Sequence, residues 1–109
     1  MSKINKISAS HILIMHKDSQ NSRSQLTIEE AKNKIDDIYN DIKSEGVKFA
    51  DAAVQHSDCP SGQSGGSLGE FSKGMMVKAF EQVAFSLDIE QISEPFESEF
   101  GFHIVKRDQ

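Results

Sequence analysis

The spacing of apolar and polar positions changes period several times along the chain, and each change marks an element. Ser10-His11-Ile12-Leu13-Ile14-Met15-His16 is apolar at both parities, the pattern of a strand buried on both faces. His11 stands at its start. Thr27-Ile28-Glu29-Glu30 forms a capping box, in which the Thr27 hydroxyl accepts from the Glu30 amide and the Glu30 side chain reaches back. Ile28, Ala31, Ile35, Ile38, Tyr39 and Ile42 then follow at spacings of 3, 4, 3, 1 and 3, one apolar stripe at helical period. Gly46 suits the left-handed position just past this helix. Residues 48–56 predict a shorter helix burying Phe49, Ala52 and Ala53, and residues 77–87 another with Phe80, Val83, Ala84 and Leu87 inward. Strands are expected over 67–71 and 102–107, the latter with His103 and Val105 on one face and Phe102, Ile104 and Lys106 on the other. An extended piece over 92–96, turning through Ser98-Glu99-Phe100-Gly101, forms a hairpin with the last strand. Strand, helix, helix, strand, helix, strand, strand is an α+β order with a small, mostly antiparallel sheet.

Composition narrows the class. At 109 residues and 37% hydrophobic, the chain fits one domain, expected over 7–109 behind a short lead over 1–6, and buries enough surface to fold without cross-links. With a single cysteine, Cys59, no internal disulfide can form. A net charge of −5 speaks against a nucleic-acid partner, which calls for a basic footprint. The longest unbroken apolar run, Ile12 to Met15, is four residues, against about 20 for a membrane helix. The chain is expected to be a cytoplasmic monomer with no membrane partner and no targeting segment.

Turn-forming residues gather over 15–25 and 58–74, where functional loops are expected. Candidate chemistry lies nearby: His11, His103 and the loop Ser57-Asp58-Cys59-Pro60-Ser61. A histidine in an apolar strand is ordinarily a hydrogen-bonded core residue, but if the first and last strands are neighbours, His11 and His103 can share a proton between ring nitrogens. Cys59 invites a nucleophile reading, yet the chain offers no orienting Asn or Asp at a recognisable spacing. His56-x-x-Cys59 lacks the second half of a zinc pattern, so no metal is expected, and no cofactor. Residues 62–69 are glycine-rich but lack the Gly-Lys-Ser/Thr ending of a phosphate loop; tight turns explain them. Met75, Met76 and Phe80 could form an adaptable apolar surface, as could Phe100 and Phe102.

These residues fall into an ordered set of motifs. Ala9-Ser10-His11-Ile12-Leu13, Ser57-Asp58-Cys59-Pro60-Ser61 and Gly65-Gly66-Ser67-Leu68-Gly69-Glu70-Phe71 are followed by Gly74-Met75-Met76-Val77, Ala79-Phe80-Glu81, Ala84-Phe85 and Glu99-Phe100-Gly101-Phe102-His103-Ile104. Their order and spacing, from about residue 7 to 107, resemble the parvulin family of peptidyl-prolyl cis/trans isomerases. The resemblance implies a four-stranded antiparallel sheet surrounded by four helices, an FKBP-like superfold, the fourth helix a single turn near Cys59. It implies paired histidines at His11 and His103, Cys59 and Asp58 beside the reacting bond, and a proline pocket of Leu68, Met76 and Phe80. Phe100 falls at the pocket rim and Ser98 in the histidine network.

The substrates so implied are proline-containing polypeptides, isomerised without a covalent step. The phosphorylation-directed branch of the family carries clustered basic residues after the first strand. Here the corresponding loop offers only Lys17 and Arg23 as an anion-binding pair, where a bidentate phosphate clamp wants adjacent arginines. Broad specificity is therefore expected. The alternative reading is a binding module that holds proline-containing or unfolded chains, with isomerisation incidental.

Overall fold

The computed structural model describes residues 6–20 and 22–109. The expected lead lies outside them except for Lys6, as does Asn21 in the 15–25 loop. Strand β1 spans Lys6–Ile14, helix α1 Ile28–Ser44, helix α2 Phe49–His56, strand β2 Ser67–Ser72, helix α3 Lys78–Ser86, strand β3 Phe96–Ser98 and strand β4 Gly101–Arg107. The fourth helix implied by the resemblance is a 3-10 turn, Pro60–Ser64, directly after Cys59. One sheet runs in the order β2-β1-β4-β3 with every pairing antiparallel.

The α1 capping box forms as its residues require: the Glu30 amide donates to Thr27 Oγ1 at 3.1 Å, and the Thr27 amide to Glu30 Oε1 at 2.9 Å. Gly46 follows the helix at φ +73°. Ala31, Ile35 and Ile38 are buried, whereas Ile28, the first helical residue, is 45% exposed. The apolar stripe therefore begins one turn later than its spacing suggests.

β1 starts at Lys6 and stops at Ile14, earlier at both ends than its apolar run. Pairing decides this, since Lys6 opposes Ser72 and Ile7 opposes Phe71 on β2. The central strand is covered on both faces. Ile12, Ile14, Phe102 and Ile104 pack against α1 and α2, while Ile7, Ala9, Val105 and Phe71 meet Phe80, Ala84 and Leu87 around α3. Val83 is only half-buried, a departure from its inward assignment. The expected extended piece over 92–96 joins β4 through a bridge from Ile92 to Lys106, but regular strand begins only at Phe96. Arg107 is buried and donates to the Leu87 carbonyl at 2.8 Å, which moors the end of α3 to β4.

Candidate active site

β1 and β4 are adjacent, and their register sets His11 opposite Val105 and Leu13 opposite His103. Both histidines thus fall on the α3 face, one diagonal step apart. His11 Nδ1 lies 3.3 Å from His103 Nδ1, and Ser98 Oγ is 2.6 Å from His103 Nε2. The Phe100 amide donates to the same Ser98 oxygen at 3.2 Å. Burial lowers His11 to about 4; burial, with His11 alongside, lowers His103 to about 3. Both rings are neutral at pH 7, so one Nδ1 carries the proton and the other accepts it. His11 Nε2 is buried with no hydrogen-bond partner among the described residues.

A cavity of about 380 Å³ opens beside the pair, its wall almost wholly apolar. Leu68, Met76, Phe80 and Phe100 line it together with His11, His103 and Cys59. Phe80 is buried, with its ring edge-on to His11 at 5.5 Å and to His103 at 5.6 Å between centroids. Leu13, Met75 and Val77 also line the cavity. Leu13 was legible from parity alone, because residues two apart on a strand share a face.

Cys59 reaches this wall because of how β1 finishes its backbone hydrogen bonds. β2 stops pairing at Ser10–Ser67, and the next amides along that edge, from β1 into Met15, need other partners. The His11 amide donates to the Gly66 carbonyl at 2.9 Å, the Leu13 amide to Ser57 Oγ at 3.0 Å, and the Met15 amide to Asp58 Oδ2 at 2.8 Å. In return the Asp58 amide donates to the Leu13 carbonyl at 2.7 Å. Gly66 sits at φ +85°, and a Cβ there would strike the His11 carbonyl oxygen, so this close approach demands glycine. The 57–59 segment is thus laced to the strand bearing His11, and Ser61 Oγ donates to Cys59 Sγ at 3.1 Å.

Asp58 is exposed and lines a second cleft on the other side of this segment, with Met15, Arg23, Lys34 and Pro60. It does not line the apolar cavity. Its carboxylate instead completes the β1 edge, a use that its place beside Cys59 in sequence did not reveal. Arg23 faces the second cleft without Lys17. Glu30 is held below the ordinary carboxylate range first by its Thr27 hydrogen bonds and, more weakly, by the charge of Lys17. Phe96, unmarked as a site residue by the sequence, stacks on His103 at 5.3 Å. Among the described residues, no group of three His, Cys, Asp or Glu side chains gathers as a metal centre requires.

Comparison with known proteins meets this geometry. The family model for the PPIC-type PPIase domain matches residues 11–109. The peptidyl-prolyl cis-trans isomerase Pin1 of Digitalis lanata is 35% identical over 112 residues, spanning 94% of this chain and 95% of the relative. Foldase protein PrsA 4 of Bacillus cereus is 40% identical over 102 residues, spanning 93% of this chain and 31% of that protein. Among solved structures, peptidyl-prolyl isomerase ESS1 from Candida albicans aligns with a TM-score of 0.93 at 32% identity, covering 99% of this chain and 65% of that one. TbPIN1 aligns with a TM-score of 0.86 at 35% identity, covering 98% and 100%. With the fold, the paired histidine strands and these matches in agreement, the chain belongs to the parvulin family of peptidyl-prolyl cis/trans isomerases.

Proposed function

We propose that this isomerase binds an X-Pro segment in the apolar cavity, with Leu68, Met76, Phe80 and Phe100 holding the proline ring. His11, His103, Ser98 and Cys59 form the polar side of the site, and Asp58 acts through the loop it fastens. Rotation about an X-Pro bond must break amide resonance over a barrier of roughly 20 kcal/mol, without making or breaking a covalent bond. The site therefore needs only to bind the twisted amide better than the planar one, each tenfold in rate requiring about 1.4 kcal/mol. Twisting makes the nitrogen more pyramidal and alters the carbonyl. A pre-oriented, neutral imidazole pair and the Cys59 thiol offer the carbonyl side polar neighbours that need not reorganise.

The observation that carries this reading is the neutral His11–His103 pair set in the wall of a cavity that is otherwise apolar. Exchange NMR on an Ala-Pro peptide with substoichiometric protein tests it. Acceleration should accompany shift changes at Leu68, Met76, Phe80 and Phe100; acceleration with changes confined to the Arg23–Lys34 cleft would overturn it.

A second reading, chain holding with incidental turnover, is favoured by Met75, 65% exposed at the cavity wall. It gains if Phe80→Ala abolishes turnover while suppression of client aggregation survives. Residues 7–109 act, in our reading, as one catalytic domain, a cytoplasmic monomer with broad X-Pro specificity and no nucleic-acid or membrane partner. The net charge of −5 and the single cysteine support this. No helix among the described residues is long and apolar enough to cross a membrane. Light scattering of the purified chain tests the monomer.

A further inference from the structure

Between the end of β2 at Ser72 and the start of α3 at Lys78, the chain supplies three consecutive cavity-lining side chains, Met75, Met76 and Val77. Little in this turn holds itself. Lys73, Gly74 and Met75 are exposed, so burial does not fix them. Gly74 adopts φ +92° with open space where a Cβ would stand, so no neighbour packs against that side of it. Val77, the N-cap of α3, makes no side-chain capping bond. The Met75 amide reaches the Ser72 carbonyl at 3.3 Å, and the Ser72 amide meets Met75 Sδ at 3.4 Å, a weak acceptor.

Lys73 Nζ lies 5.5 Å over the Phe85 ring of α3, and Met76 and Val77 pack against the core, but the one hydrogen bond from this turn to a charged group among the described residues also comes from the next helix. The Gly74 amide donates to Glu81 Oε1 at 2.5 Å. Glu81 lies in the first turn of α3, where the helix dipole favours a carboxylate, and a charged acceptor strengthens the bond to the amide. It directly follows Phe80, whose buried ring is part of the cavity wall. The bond therefore ties a solvent-exposed turn to the helix that carries Phe80 of the cavity wall.

We propose that Glu81 is a positioning residue for substrate binding: its carboxylate clamps the Gly74 turn and so holds Met75 and Met76 in place before the proline ring arrives. The inference rests on reading the cavity as the proline pocket. Glu81 does not line the cavity, and its effect passes through the shape of the wall. Without the clamp, the turn must be ordered at each binding event, a cost that falls on ground state and transition state alike and so on KM.

Steady-state measurements on an Ala-Pro peptide with the full chain and its Glu81→Ala, Glu81→Gln, Glu81→Asp and Met76→Ala variants test it, alongside amide exchange at Gly74. Glu81→Ala should raise KM about tenfold with kcat within about twofold, the signature of lost uniform binding, and should speed Gly74 exchange. Glu81→Gln keeps an acceptor at the same reach and should recover most of the loss. Glu81→Asp keeps the charge but is one methylene short of Gly74; it should behave like Glu81→Ala and carries the test if that variant fails to fold. An unchanged KM in Glu81→Ala or Glu81→Asp, while Met76→Ala raises KM, overturns the clamp and leaves the pocket standing. An unchanged KM in Met76→Ala overturns the pocket itself.

Discussion

His11 and His103 meet through their Nδ1 atoms at 3.3 Å although neither faces the other across the β1–β4 ladder. The diagonal step lets the rings stack at 5.4 Å and 21°. Phe96 stacks on His103, and Phe80 stands edge-on to both imidazoles. The pair is therefore enclosed by aromatic carbon, which penalises a charged imidazolium and leaves a single shared proton as the stable arrangement.

That enclosure makes stability depend on pH. An unfolded histidine titrates near 6.5, whereas His11 is lowered to about 4 and His103 to about 3. Between those limits the unfolded chain binds more protons than the folded one, so stability rises with pH. The contribution is complete above about 6.5 and is lost as pH falls toward the folded values, by up to about 1.4 kcal/mol per histidine per pH unit. Urea midpoints should drop steadily from pH 7 to pH 5, and kcat/KM should show no histidine inflection near 6.5. A constant midpoint across that range would contradict the neutral pair.

Cys59 lines the cavity but has its sulfur engaged by the Ser61 hydroxyl, and rotation needs no attacking group. Cys59→Ala should keep kcat/KM within about tenfold of the parent, about 1.4 kcal/mol of transition-state stabilisation. Mass spectrometry during turnover should find no adduct on Cys59. A trapped acyl-cysteine, or a loss beyond a thousandfold, would restore the nucleophile reading.

Ser57 holds two amides at once, those of Leu13 at 3.0 Å and Cys59 at 3.3 Å. Ser57→Ala strips both of their acceptor and should lower stability by about 1–3 kcal/mol, as unsatisfied polar groups do. Because the same bonds lace the Cys59 loop to β1, kcat/KM should fall as well. Urea unfolding and the peptide assay on one preparation check this; unchanged values in both would mean that Asp58 alone secures the loop.

The parts legible in sequence are those whose physics is local or follows parity. Thr27 and Glu30 announce their helix because both partners lie within one turn, and His103 falls on the same face as Val105 by strand alternation. Met76, Phe80 and Phe100 stand out in the sequence as adaptable apolar surface and Leu68 through family resemblance alone, while their shared cavity depends on how α3 lies across the sheet. What escaped is tertiary. β1 extends back to Lys6 only because β2 is there to pair with it, and Ile28 is exposed because the helix begins before the core does. Asp58 next to Cys59 reads as chemistry, but the Met15 amide that claims its carboxylate becomes visible only once the β1–β2 pairing is seen to stop at Ser67. Phe96 carries no motif that marks it as the ring stacked on His103.

The expectation of broad specificity turns on the second cleft, of about 530 Å³, which Arg23, Lys34 and Asp58 line together. A phosphate arriving there meets one arginine, one lysine and one carboxylate, where bidentate recognition wants adjacent guanidinium groups. Lys17 does not line this cleft, and Met15, which follows β1 and does line it, brings no charge. The chain as a whole is net −5, so long-range attraction for an anionic peptide is absent as well. Peptides with Ser(P)-Pro or Glu-Pro should therefore turn over within about tenfold of Leu-Pro or Ala-Pro, a difference of no more than about 1.4 kcal/mol. The comparison belongs at low and at physiological salt, because exposed charges act more strongly when unscreened. A hundredfold preference for the phosphopeptide at physiological salt would require Arg23 and Lys34 to converge on the phosphate despite Asp58, and would overturn the reading of broad specificity.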